Sequence, residues 1–317
     1  MNSIKTKAKT FFVIILAVTM LFAAGCESSK ISSNSNDAVA KIGNKVISKD
    51  LYNKKLTLIK KTIEDQYGDQ IWSLDMGGKT YLQAVQEKVL DQMIDEEAVV
   101  KYMKDQNINI DDKEIQKQYE AYMEGMKNKK EAKEFLEQNG IDEAFIKNQM
   151  KMDLYMNKFH QKIIEELALT DKKLEEYYEK HKEKYTKDRA KASHILVEKE
   201  EEAKDILKKI KAGEDFEELA KKYSKDPGSA AQGGNLGVFP KGMMVPEFEK
   251  VAFSLKDGEV SEPVKTQFGY HIIKGMAITF EDVKEEIRMD MIQNAIVDKL
   301  KQIKEDLKIE RFEENIK

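Results

Sequence analysis

The chain has 317 residues, 35% of them charged and 8% aromatic, with a formal net charge of −4. That length gives room for two domains or one large one, and so few aromatics confine large apolar cores to helices. Basic charge is nearly all lysine, with arginine only at Arg189, Arg288 and Arg311; lysine makes a solvated surface and a poor bidentate phosphate clamp, so no nucleic-acid partner is expected.

The N-terminus carries an address. "MNSIKTKAK" is a basic n-region, and "FFVIILAVTMLFAA" is an apolar run of 14 residues, short for a membrane span and right for a signal-peptide core. It leads to "AAGC", which resembles the bacterial lipobox, with Ala23 standing where leucine is commonest. Cys26 would then be lipidated and become the first residue. It is the sole cysteine, so no intrachain disulfide can form. Two acyl chains suffice for stable anchoring. Loss of residues 1–25 would remove Lys5, Lys7 and Lys9, leaving 51 basic residues against 58 acidic ones, a net −7. Residues 26–37 then form a polar Ser/Asn tether that holds the protein outside the cell.

From residue 38 to 188 the sequence reads as a short strand followed by helix after helix. "AVAKIGNKVIS" turns at Gly43-Asn44, and Ser48 is placed to cap "KDLYNKKLTLIKKTI". "YLQAVQEKVLDQMIDEEAVVKYMKDQ" has an apolar seam through Val89/Leu90, Met93/Ile94, Ala98, Val100 and Met103, a helix of roughly six to seven turns. Asp111, with Glu114 three residues on, opens the next helix. Gly140 breaks a further one, which restarts at Asp142, and Thr170 caps "DKKLEEYYEKHKEKY". Methionines 76, 93, 103, 123, 126, 150, 152 and 156 make this region soft, either as seam filler or as a surface that adapts to varied apolar partners. His160 and His181 lie in lysine-rich helical text and are expected at the surface. The tail from Thr279, with Asp282 at N3, reads as one long helix, expected to pack back on the N-terminal helices.

Between them, residues 189–276 contain all four prolines and nine of the sixteen glycines. "AKASHILVE" alternates as a strand, with Ala192, His194 and Leu196 on one face. Taken alone, His194 reads as a packing residue tied down by a hydrogen bond. Two helices follow, closed by Gly213 and at "KKYS". A glycine-dense loop, "KDPGSAAQGGNLGVFPKGMMVPEF", leads into a third helix with Pro246 at its start. "GEVSEPVKTQFGYHIIKG" ends the window as a hairpin-like pair of strands. The order β-α-α-loop-α-β-β gives a small antiparallel sheet covered by helices, an α+β unit inserted in or flanked by an all-helical domain.

"ASHILV", "YSKDPGSAAQGGNLGVFPKGMMVPEFEKVAFSL" and "GEVSEPVKTQFGYHII", in this order and spacing, resemble the parvulin (PpiC-like) type of peptidyl-prolyl cis/trans isomerase. With the lipobox and the helical flanks, the full chain resembles the PrsA-type foldase lipoproteins of Gram-positive bacteria, and "VAKIGNKVIS" onward is similar to the chaperone region of SurA-like foldases. The resemblance implies a helical chaperone domain at 38–188, the parvulin domain at 189–276 and a C-terminal helix at 277–317 packed with the former. It assigns a proline pocket to Leu236, Met244 and Phe248, with Phe239 nearby and Phe268 at the border. It pairs His194 with His271, sets Asp226 beside them, and suggests dimers through the helical domain. Some relatives have a serine or threonine near Phe268, and the resemblance does not carry their hydroxyl contact to substrate over to this chain. The active loop also lacks the Arg/Lys cluster of phosphate-directed parvulins.

Rotation about an X–Pro bond needs no nucleophile, metal or cofactor, because the obstacle is partial double-bond character. The expected function is a membrane-anchored isomerase and chaperone for newly exported polypeptides with X–Pro bonds. The competing reading is a holdase with a catalytically inactive parvulin module. An unrelated binding lipoprotein would call for two α/β lobes, which the long helical flanks disfavour. No metal site is expected, with four scattered histidines and one lipid-bound cysteine.

Overall fold

The computed structural model describes residues 37–316. The signal peptide, Cys26 and nearly all of the tether expected from the sequence lie outside the described residues. From its start the chain forms β1 (Ala38–Ile42) and β2 (Lys45–Ser48). Five helices follow: α1 (Lys49–Tyr67), α2 (Tyr81–Asp105), α3 (Asp112–Gly125), α4 (Lys130–Gln138) and α5 (Glu143–Leu167). Next come α6 (Asp171–Thr186), β3 (Arg189–Val197), α7 (Glu200–Lys211) and α8 (Phe216–Tyr223). Then follow β4 (Asn235–Pro240), α9 (Pro246–Ala252), β5 (Val264–Thr266) and β6 (Gly269–Met276). The chain closes with α10 (Phe280–Glu305) and β7 (Ile309–Arg311).

Two compact units result. One comprises the described residues up to Glu165 together with those from Ala295 onward; the other is Glu166–Asn294. In the first, β1 and β2 form the expected hairpin, with Gly43 at φ 57°, and Ser48 Oγ accepts from Leu51 N–H at 3.2 Å. Thr80 and Gln83 close a capping box at the start of α2, which satisfies two N–H groups the helix leaves open. The seam of α2 packs Val85, Val89, Leu90, Met93 and Ile94 against Ile42, Ile47 and Tyr52. Leu90 is fully buried, a gain of about 1.5–3 kcal/mol over leaving it in water.

The tail departs from the single long helix expected. α10 stops at Glu305, and β7 adds to β1 as a third strand, in the order β2-β1-β7. Ala40 pairs with Arg311 and Ile42 with Ile309. The pairing is reinforced by Gln86 Nε2 donating to Ile316 O at 2.7 Å and Asn315 Nδ2 donating to Ala38 O at 2.7 Å. The last residues are therefore part of the first unit's core, through a strand only three residues long.

In the Glu166–Asn294 unit the sheet runs β4-β3-β6-β5, every pair antiparallel. One face carries Ile195, Val197 and Ile272 against α7 and α8; the other carries Ala192 and Ile273 against Phe239 of β4 and Phe248 of α9. Alternation along β3 thus divides its side chains between two cores, as period-2 geometry requires. The segment expected to be entirely loop contains β4, an edge strand whose Pro240 lacks an N–H to donate. The unit is also larger than residues 189–276. Leu174, Tyr178 and Tyr185 of α6 pack on Val283 and Ile287 of α10, and Arg189 forks onto Glu286 at 2.7 and 2.8 Å. α10 accordingly belongs to the second unit up to Asn294 and to the first only beyond it.

The helical unit also encloses a charge pair that periodicity does not reveal. Lys55 of α1 is 2% exposed and donates to both oxygens of Glu96 on α2 at 2.5 Å, while Gln92 Nε2 donates to Glu96 Oε1 at 2.9 Å. Burial, with Glu96's charge adding to it, pushes Asp153 of α5 up to about 6. Removing one partner of a buried pair leaves the other charge without compensation. Glu96→Ala is therefore expected to destabilise the protein by about 3–5 kcal/mol in chemical denaturation, and adding Lys55→Met to it should recover more than half of that loss.

Candidate active site

His194 stands on β3 and His271 on β6, where antiparallel pairing sets Leu196 opposite His271 and His194 opposite Ile273. The two histidines are thus diagonal neighbours on the same face, a spacing that lets long side chains meet. Their rings lie 5.2 Å apart at 18°, with Nδ1 to Nδ1 at 3.0 Å. Both are buried, at 6% and 5% exposure.

The loop after α8 is sewn to β3 by Lys225 N–H donating to Leu196 O at 2.7 Å and Leu196 N–H donating to Ser224 Oγ at 3.2 Å. That attachment brings Asp226 Oδ2 within 3.0 Å of His194 Nε2. Farther along, Gly234 presses on the same strand. Its O accepts from His194 N–H at 2.8 Å, its φ is +80°, and a Cβ there would stand 2.1 Å from His194 O. Only glycine permits that approach.

Two hydroxyls join the group that the sequence reading did not assign. Ser229, 2% exposed, donates to Asp226 Oδ2 and lies 3.1 Å from His194 Nε2. Thr266 Oγ1 lies 2.8 Å from His271 Nε2 and accepts from Phe268 N–H at 3.1 Å. Their signals were faint but present. Ser229 follows Asp226 at i+3, a local side-chain-turn spacing, and Thr266 lies two residues before Phe268 on β5, the strand next to His271.

Hydrogen-bond inventory sets a direction through these groups. The Asp226 carboxylate only accepts, so His194 Nε2 carries the hydrogen. With both rings neutral, His194 Nδ1 accepts from His271 Nδ1–H, and His271 Nε2 accepts from the Thr266 hydroxyl. Burial works against the charge on Asp226, but hydrogen bonds from Ser229, His194 and the Gly228 N–H outweigh it and hold the carboxyl down to about 2. Burial, then the neighbouring His194, bring His271 down to about 4.

Phe248 stands edge-on to both imidazoles, 5.6 Å from His194 and 5.3 Å from His271. Pro246 starts α9, where its fixed φ suits the first helical position, and so aims Phe248 at the pair. Phe239 and Phe248 are buried, Leu236 and Met244 partly so, and all four share one apolar cluster. Phe268 is 62% exposed at the β5–β6 turn. His160, expected at the surface, is half-buried beside Phe159, and burial lowers its pKa; His181 is exposed and packs on Tyr177 at 4.3 Å. Among the described residues, no three His, Cys, Asp or Glu side chains form a metal-sized group.

Comparison with known proteins matches both parts of the chain to families. Residues 170–277 match the PPIC-type PPIASE domain, and residues 1–160 match the SurA-like N-terminal domain. Together they define a parvulin-type peptidyl-prolyl isomerase joined to a SurA-like helical region. The foldase protein PrsA of Caldanaerobacter subterraneus subsp. tengcongensis is 38% identical over 299 residues, covering 92% of each chain. That of Clostridium tetani is 31% identical over 345 aligned positions, covering all of both chains. The crystal structure of PrsA from Bacillus subtilis is 34% identical, spans 74% of this chain and 91% of its own, and has a TM-score of 0.31. The chain belongs to the PrsA foldase family.

The depressed pKa of His271 has a consequence for stability. The unfolded imidazole takes up its proton near 6.5, whereas the folded one resists until about 4, so between those values the unfolded state binds more protons. Stability is then full above about 6.5 and declines as pH falls through that window. Denaturant titrations should show about 2 kcal/mol less stability at pH 5 than at pH 7 from this group, and His271→Gln should flatten that slope.

Proposed function

We propose that this foldase is anchored outside the cell through lipidated Cys26 and rotates X–Pro bonds non-covalently at the site built around His194, Asp226 and His271. The observation that carries the reading is the unbroken hydrogen-bond chain from Thr266 through both histidines to Asp226, with Phe248 edge-on above it. The barrier to be lowered is about 18–20 kcal/mol of amide resonance. A group that binds the twisted bond better than either planar form lowers it without a covalent step.

Leu236, Met244 and Phe248 would receive the proline ring, with Phe239 packed beneath Phe248 at a centroid distance of 6.4 Å. Phe268, exposed beside the His271 strand, would cover the neighbouring residue of the substrate and help to exclude water. Asp226 would set the electrostatics of the site and not attack the substrate. Its fixed negative charge favours His194 as donor on that side and leaves the pair no reason to exchange protons with substrate. The substrates are unfolded or newly exported polypeptides, and the methionine-rich helical region would hold them as a chaperone. Of those methionines, Met93, Met103, Met126, Met150 and Met152 are buried and Met76 is exposed, so most of them fill helix seams and a smaller number face clients.

Two experiments test this. In a peptide isomerisation assay, Asp226→Ala should lower kcat/KM by about 10- to 100-fold, the worth of a charge-assisted hydrogen bond, while still suppressing aggregation of an unfolded client. Wild-type protein without any rate above background would leave the holdase reading in its place. For the anchor, Cys26→Ala expressed in a Gram-positive host should lose incorporated palmitate and leave the membrane fraction; a membrane-bound Cys26→Ala protein would refute the lipid anchor.

A further inference from the structure

Ser229 has an environment that the reaction described so far does not use. Ser229 is 2% exposed, and its hydroxyl bonds to groups of the site: it donates to Asp226 Oδ2 and stands 3.1 Å from His194 Nε2. A hydroxyl has one hydrogen, and the carboxylate takes it; the oxygen is left to accept. The His194 Nε2–H is therefore shared between Ser229 Oγ and Asp226 Oδ2, at 3.1 and 3.0 Å.

The carboxylate is held at both ends. Oδ1 accepts from Gly228 N–H at 3.3 Å, and Oδ2 receives Ser229 and His194. Asp226 keeps 24% of its side chain exposed, so without the buried hydroxyl it has room to turn toward water. The main chain of Ser229 is fixed as well: its O accepts from Gly234 N–H at 2.9 Å, and Gly234 O accepts from His194 N–H at 2.8 Å. One residue thus ties the acidic loop to the histidine strand through both side chain and backbone.

We propose that Ser229 is a positioning residue for the isomerase site: its hydroxyl sets the Asp226 carboxylate against His194 Nε2 and so fixes the direction of the whole histidine chain. The inference rests on the reading of His194, Asp226 and His271 as the isomerising site. It separates a role in positioning from one in folding, because the backbone bonds of Ser229 do the second and its hydroxyl does the first.

The test compares Ser229→Thr with Ser229→Val, which place nearly the same shape in the buried space and differ in the hydroxyl. The Thr variant should keep the wild-type kcat, and the Val variant should lose about 10-fold in kcat with KM unchanged. By carboxyl 13C titration, the Asp226 midpoint should lie about one pH unit higher in the Val variant than in the Thr variant. If the added methyl unfolds the unit, Ser229→Ala against wild type makes the same comparison. An Asp226 midpoint that does not move with the hydroxyl overturns the proposal, whatever the rate. The site reading fails separately, if Asp226→Ala keeps the wild-type rate.

Discussion

The hydrogen bond between the two Nδ1 atoms of His194 and His271 is the constraint on which the site depends. Two imidazoles can meet nitrogen to nitrogen only if one donates and the other accepts. Whatever fixes the proton on one ring therefore fixes it on the other. Asp226 and Ser229 do this from one side and Thr266 from the other. Because all of these groups except Asp226 are nearly out of water, an unmet partner anywhere along the chain carries the full cost of burial. The sheet supplies the geometry: antiparallel pairing of β3 and β6 sets the two rings diagonally, and Gly234 lets the loop close on the same strand without a clash.

That arrangement suits a reaction without bond making. The polar groups are satisfied by each other, so the proposed site would offer substrate a fixed electrostatic pattern and an apolar wall instead of a free acid or base. Phe248 joins the two halves, since it belongs to the apolar cluster and also lies edge-on to both imidazoles. In the other unit the same principle serves packing. Lys55 and Glu96 are buried as a bidentate pair with Gln92 completing the acceptor, whereas exposed helix pairs of the same unit such as Lys101–Asp105 contribute little individually.

Much of this was legible in the sequence where the signal is local. Alternation at Ala190–Glu198 placed His194 on the correct face, caps at Ser48 and Thr170 marked helix starts, and Gly140 marked a break. The pairing of His194 with His271 came from the family resemblance, and the β3–β6 register brings the two rings together. What escaped was set by distant partners. β7 is three residues whose strand character exists only against β1, at the other end of the chain. β4 carries Gly237 inside it and Pro240 at its end, and its strand character comes from pairing with β3. Ser229 and Thr266 are small polar residues of a kind that fills any loop, and their importance appears only when their neighbours are known. His160, expected at the surface, is only half-exposed, because lysine-rich text describes a helix's wet side and says nothing of what its other side meets.

The direction of the histidine chain is the central claim, and nitrogen NMR of the two imidazoles in the full-length protein at pH 7 tests it most directly. The account predicts His271 protonated on Nδ1 with Nε2 bare, and His194 protonated on Nε2 with Nδ1 bare. A His271 that carries its hydrogen on Nε2 would contradict it, since the chain would then run from the histidines toward Thr266.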